Sequence, residues 1–198
     1  EFRRVLFRSA WVDECVAAGL PLKTQVSARP IGILQGLTAS LNPLVLCPSF
    51  QEVAKLPLLF AKYADNGDHQ ALADLFTEDC QLARPFQPEH PYHGREAVQA
   101  IFRDRPPILV RHLVTNVLVE VISETEARGT NYLTMLSSHE GTTPPQPSGA
   151  IYVGGFEDHY VKTEGQWRFM SRFGRVVLHM GGAMPNIPAP SDEARGLK

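Results

Sequence analysis

The chain has 198 residues, of which 43% are hydrophobic and 20% charged, and a formal charge of -2. That is enough for one well-buried domain and too little for two comfortable ones. The near-neutral balance excludes the broad basic surface that sequence-independent nucleic-acid binding needs, and no apolar run reaches the roughly 18 residues of a spanning helix, so neither a nucleic-acid nor a membrane partner is expected.

In chain order, the first nine residues, EFRRVLFRS, carry three arginines but lead into neither an amphipathic helix nor an apolar signal core. Their back-translation, TTC AGA CGT GTG CTC TTC CGA TCT for residues 2–9, resembles the end of a sequencing adapter. We therefore expect an open reading frame that ran to the edge of an assembled metagenomic fragment. Residues 10–48 hold no sustained period and are broken by Pro21, Pro30, Pro43 and Pro48. Residues 1–48 thus read as an artefactual or disordered extension. Cys15, Cys47 and Cys80 show no paired or zinc-type spacing; plain thiols fit a reducing cytoplasm.

The pattern changes at Ser49. Ser49 with Glu52 forms a capping box, and Val53, Leu56, Phe60 and Tyr63 recur at helical spacing. Pro57 inside the run kinks that helix or restarts it. Asp65-Asn66-Gly67-Asp68 closes it and opens a second, HQALADLF, with Asp68 as cap and Leu72, Leu75 and Phe76 as buried face. CQLARPF is a short strand candidate, a proline loop runs to Gly94, and REAVQAIFRD is a third amphipathic helix stopped by Pro106-Pro107. Four strand-like segments follow: ILVRHLVTNVLVEVI, EARGTNYLTMLSS, GAIYVGGFEDHYVKT and QWRFMSRFGRVVLHM. Helices followed by an antiparallel meander give an α+β fold, with the domain spanning residues 49–180. Gly154-Gly155 marks a bulge or bend, HEGTTPPQPSG at residues 139–149 is a candidate flap, and residues 181–198 are expected to be a flexible tail.

The phrases YADNGDHQALADLF, GREAVQAIF, RHLVTNVLVEV and EGQWRFMSR, in that order, resemble the SnoaL-like branch of the nuclear transport factor 2-like superfamily over residues 50–178. The resemblance implies an NTF2-like cone, three N-terminal helices packed in a curved antiparallel sheet around one apolar pocket. It does not by itself choose a function, because the fold hosts dehydratases, polyketide cyclases, isomerases, hydrolases and non-catalytic subunits.

Strand alternation puts His112, Val114 and Asn116 on one face and Leu113, Thr115 and Val117 on the other. If the first face is concave, an imidazole and an amide meet the carboxylate of Asp65. An Asp-His pair suits elimination, since the carboxylate fixes the imidazole tautomer while the imidazole moves a proton. Scytalone dehydratase and a bile-acid 7α-dehydratase are similar at these two positions, which makes Asp65 and His112 the expected catalytic pair. The assisting tyrosine of those enzymes is not matched: Phe60 stands near one position, and Tyr63 is adjacent to the other. An arginine on the last strand would be Arg172 or Arg175. Phe86 and Tyr152 are further expected pocket residues. The ketosteroid-isomerase arrangement is disfavoured, because Arg84 stands where its base would be and Phe60 where its tyrosine would be. Neither cofactor nor metal is expected: His90 and His93 lack a third ligand. The substrate implied is a small apolar hydroxylated molecule, such as a polyketide, steroid or aromatic. An apolar outer stripe of Leu113, Val117, Val119 and Val121 predicts a homodimer through the sheet. The alternative is a non-catalytic ligand-binding or structural subunit.

Overall fold

The structure, a computed structural model, describes residues 17–19, 48–106, 108–138, 150–181 and 189–196. The chain divides into two compact units, Glu1–Asn42 and Pro43–Lys198. In the first, only residues 17–19 are described, a turn with Gly19 at φ 78°. The adapter-like start, most of residues 10–48 and the loop at 139–149 lie outside the described residues.

The second unit opens with helix α1, Pro48–Asn66. It runs unbroken through Pro57, so the version with a restarted helix is not the one adopted; Pro57 is instead buried with Val53, Leu56 and Phe60. Proline also occupies the first position, where its missing N–H costs nothing. Gly67, at φ 71°, turns the chain, and the Asp68 carboxylate accepts the Ala71 N–H (3.1 Å) to cap α2, His69–Asp74. Phe76, expected on that helix, opens strand β1, Phe76–Ala83, instead. After the proline loop come the short β2, Tyr92–His93, and α3, Arg95–Arg103. Strands β3 (Leu109–Val121), β4 (Glu126–Ser138), β5 (Ile151–Thr163) and β6 (Gln166–Met180) form the expected meander.

The sheet has six strands in the order β2-β1-β6-β5-β4-β3. Two features depart from the expected helices in an antiparallel sheet. Only α1 and α2 precede the first strand, with α3 following β2, and β1 pairs with β6 in parallel. Register shifts in β1/β6, β3/β4 and β5/β6 mark bulges, which bend strands and so curve the sheet around the helices. One of them falls at Val153/Gly154, as the glycine pair predicts. Val53 and Phe60 of α1, Leu72, Phe76 of β1, Val98 of α3, Tyr160 and Phe169 share one continuous core.

Bulges also decide which side chains face inward. In β3 the shift lies between Thr115 and Leu118, where Asn116 takes φ 51°. The extra residue reverses the alternation: Val119 is buried, Val117 packs on the core, and Leu113 and Leu118 are exposed. The predicted outer stripe therefore loses Val117 and Val119. In β6 the shift after Phe169 turns Arg172 inward and Phe173 outward. Cys80 is buried, and burial pushes its thiol up to about 12. Beyond β6, the Ala194 carbonyl accepts the His93 N–H (2.9 Å), tying residues 189–196 to β2.

Candidate active site

β3 is the edge strand of the sheet, so alternate backbone N–H groups on its outer side have no strand to bond. The last turn of α1 meets that edge. Asp65 uses both carboxylate oxygens on one residue: Oδ2 accepts the His112 backbone N–H (3.0 Å), and Oδ1 lies 2.5 Å from His112 Nδ1. Both side chains are only 11% exposed. With the carboxylate accepting at Nδ1, the imidazole carries its proton there. Nε2 is left as the atom available for proton transfer.

His112 lines a cavity of about 90 Å³, a measure in which one water takes roughly 10–15 Å³. The walls are largely apolar. Phe60 comes from α1, Leu82 from β1, Phe102 from α3, Leu133 and Met135 from β4, and Phe156 and Tyr152 from β5. Phe86 meets Tyr152 edge-on at 4.9 Å between ring centres. Gly174 permits the close packing beside this wall, since a Cβ there would lie 2.6 Å from Phe156 and 2.7 Å from Pro85.

The structure thus brings together Asp65, His112, Phe60, Phe86 and Tyr152, and it separates the other predicted residues from the cavity. Tyr63 packs against the core rather than lining the cavity. Val114 is half-buried, on the expected face but beyond the lining. Asn116 is exposed, because the bulge at φ 51° turns it away. Arg175 faces outward and pairs with Glu157 at 3.2 Å, both well exposed.

Arg172 is the inward arginine of β6, but it lies behind the cavity wall. It is fully buried, with its guanidinium 3.8 Å from the centre of the Phe156 ring and 4.6 Å from that of Phe60. Its Nη1 donates to Asp158 Oδ2 (2.7 Å), which also accepts from Asn131 Nδ2 (2.9 Å) and the Tyr160 hydroxyl (2.9 Å). Burial pushes the Asp158 carboxyl up, against the pull of Arg172. Burial, with Asp158 alongside, holds the Tyr160 phenol well above its ordinary value, so it stays a neutral donor. This network backs the two aromatic walls, and none of its four residues lines the cavity.

Apolar wall residues such as Leu82, Phe102, Leu133, Met135 and Phe156 were not anticipated as site residues, and neither were two charged ones, Arg84 and Arg105. Arg84 had a signal: it stands two positions beyond the inward Leu82, on the same face. Arg105 had none, since it sits in the aperiodic turn after α3; its Nη2 donates to the Ala64 carbonyl (2.6 Å). Among the described residues, no cluster of three or more His, Cys, Asp or Glu could hold a metal ion, and no helix is long and apolar enough to cross a membrane.

A family model described as a SnoaL-like domain matches residues 49–172. The chain belongs to the SnoaL-like family. No curated protein matches it. Among solved structures, it is similar to a protein of Novosphingobium aromaticivorans provisionally assigned as a scytalone dehydratase. That likeness has 22% identity and a TM-score of 0.59, over 71% of this chain and 90% of that one. It is also similar to a type 2 hexachlorocyclohexane dehydrochlorinase, at 17% identity and a TM-score of 0.57, over 72% of this chain and 94% of that one. A third is ActVI-ORFA of Streptomyces coelicolor, at 21% identity and a TM-score of 0.54, over 65% and 97%. At these identities the likeness shows the fold, the same curved sheet reached here from the strands.

Proposed function

We propose that this SnoaL-like protein is a cofactor-independent dehydratase or isomerase acting on a small, largely apolar hydroxylated substrate, with His112 as general acid/base and Asp65 as the group that orients it. The observation that carries this reading is the Asp65–His112 contact of 2.5 Å on the wall of an apolar cavity. A proton taken beside a carbonyl by Nε2 can be returned to a leaving hydroxyl on the same face, and the Asp65 carboxylate stabilises the imidazolium between the two events. The dehydratase- and dehydrochlorinase-named neighbours fit elimination chemistry. A binding subunit would require neither the tautomer-fixing contact nor an imidazole on the cavity wall.

The test begins with thermal-shift screening of hydroxylated polyketides, steroids and single-ring aromatics, since a specific ligand raises the apparent melting temperature. On any compound turned over, Asp65→Asn and His112→Ala should each abolish turnover with the fold retained. Full activity in both variants sinks the reading.

We further propose that a second copy of the chain covers the outer sheet face, where Leu113, Leu118, Tyr132 and Phe173 are exposed. Analytical ultracentrifugation should find a dimer that Leu118→Glu dissociates. A monomeric wild type excludes it.

A further inference from the structure

The cavity holds more positive charge than the acid–base pair needs. Arg84 lines it, and its guanidinium has no hydrogen bond or ion pair with any described residue. Arg105 lines it too, lying over the Phe102 ring at 5.6 Å; of its five N–H donors, one is engaged, by the Ala64 carbonyl. The carboxylate whose charge acts on Arg105 is that of Asp65, and both of its oxygens are committed to His112. The balance of Arg84, Arg105 and Asp65 is therefore one net positive charge with a neutral imidazole, and more once His112 is protonated. Burial, and Arg84 beside it, hold the Arg105 guanidinium below its ordinary value, with Asp65 opposing. Both side chains are half-buried, and two cations lining one largely apolar cavity repel each other. An anion placed between them would remove that repulsion and fill the unused donors.

We propose that Arg84 and Arg105 form a carboxylate-binding subsite, so that the ligand of this cavity is a compact apolar ring or chain bearing one acidic group. The arginines hold the acid, the aromatic wall of Phe60, Phe102 and Phe156 covers the apolar body, and His112 lines the same cavity. Planar guanidinium forks match a carboxylate in a way that a single lysine does not. The subsite deepens the proposed function and rests on the same cavity being the substrate site, though not on any chemistry at His112.

Benzoate and benzamide, alike in shape and different in charge, are the probes, titrated by ligand-observed NMR into the full chain and its variants. Wild type should bind benzoate at least about tenfold more tightly than benzamide, the scale of a charge-assisted pair. Arg84→Gln and Arg105→Gln should each weaken benzoate, and the double variant should bind both probes alike. Arg84→Lys/Arg105→Lys should keep part of the preference, which a merely structural role would not predict. Circular dichroism checks that each variant is folded; if the double glutamine variant is not, the lysine pair and the single variants decide. Equal affinity of wild type for the two probes, no saturable benzoate binding, or a preference that survives in the folded double variant overturns the proposal. The outcome separates from that of the acid–base reading. His112→Ala should retain the benzoate preference while losing turnover, so either result can fail alone.

Discussion

Asp158→Asn should be among the most destabilising single changes in this domain, although Asp158 touches no ligand. Its Oδ2 accepts three donors, from Arg172, Tyr160 and Asn131, and both partners of the Arg172 ion pair are fully buried. Asparagine keeps the shape but removes the charge. Its amide oxygen can serve only part of the donor set, and its amide hydrogens then face other donors. The buried guanidinium is left without a counter-charge, and its Nε and Nη2 already have no hydrogen-bond partner among the described residues. Breaking a buried pair in this way costs about 3–5 kcal/mol. Against a total stability of about 5–15 kcal/mol, and with a urea slope of roughly 1–3 kcal/mol per molar, the unfolding midpoint should fall by about 2 M. The assay is urea denaturation followed by tryptophan fluorescence, from Trp11 and Trp167 together, and far-ultraviolet circular dichroism in parallel. Asp158→Leu with Arg172→Met should recover most of the loss, because an apolar pair leaves no orphaned charge. A single variant within about 1 kcal/mol of wild type would show that the network is not holding the cavity wall.

Asn116→Val should destabilise by about 1–2 kcal/mol in the same denaturation assay, because a β-branched residue resists φ 51°, and should leave ligand binding unchanged because Asn116 is exposed. Lost binding in a stable variant would return Asn116 to the site. Gly174→Ala should cost about 1–3 kcal/mol by overpacking, since the new Cβ would press on Phe156 and Pro85, and should weaken any cavity ligand; an unchanged melting temperature refutes the packing. Cys80, with its thiol near 12, should escape iodoacetamide at pH 8 until the protein unfolds, as read from its peptide by mass spectrometry. The linkage sign follows: the unfolded thiol loses its proton near 9 while the folded one keeps it to about 12, so stability falls as pH rises through that interval. Cys80→Ala should lack that part of the fall, and an identical alkaline profile would count against the burial argument.

The same physics explains what the sequence made legible. The meander was readable because its strands are long, β-branched and separated by turn-formers such as Glu164-Gly165, and each expected segment contains the observed strand. β1 was read late: residues 80–86 were expected, whereas the strand is Phe76–Ala83 and leaves Arg84, Pro85 and Phe86 beyond its end. Its middle carries the exposed Glu78 and Asp79, and its register with β6 shifts between Phe76 and Gln81, so no simple alternation survives there. The parallel pairing of β1 with β6 has no local signature at all, because it joins segments some ninety residues apart.

Side-chain direction was lost wherever a bulge intervened. Alternation counted from His112 places Asn116 inside, and it is correct as far as Val114; one residue with positive φ then reverses the rest of the strand. Alternation counted from Trp167 and Phe169 would place Phe173 inside, and the bulge after Phe169 gives that side to Arg172. Asp65 and His112 were legible for a different reason. Each lies next to an end that local chemistry fixes, the Asn-Gly stop of α1 and the start of β3 after a proline pair, upstream of any bulge in its strand. What the sequence did not show is why the two must meet: β3 is an edge, its outward N–H at His112 needs an acceptor, and the last turn of α1 supplies one. The carboxylate that closes the sheet edge is then the same one that orients the imidazole. Asp65→Asn should therefore loosen the α1–β3 contact as well as the ring, and Asp65→Glu, which keeps the charge at a longer reach, separates the two effects. If the glutamate variant restores stability without turnover, ring orientation is the catalytic requirement. If it restores neither, the strand edge is what positions His112.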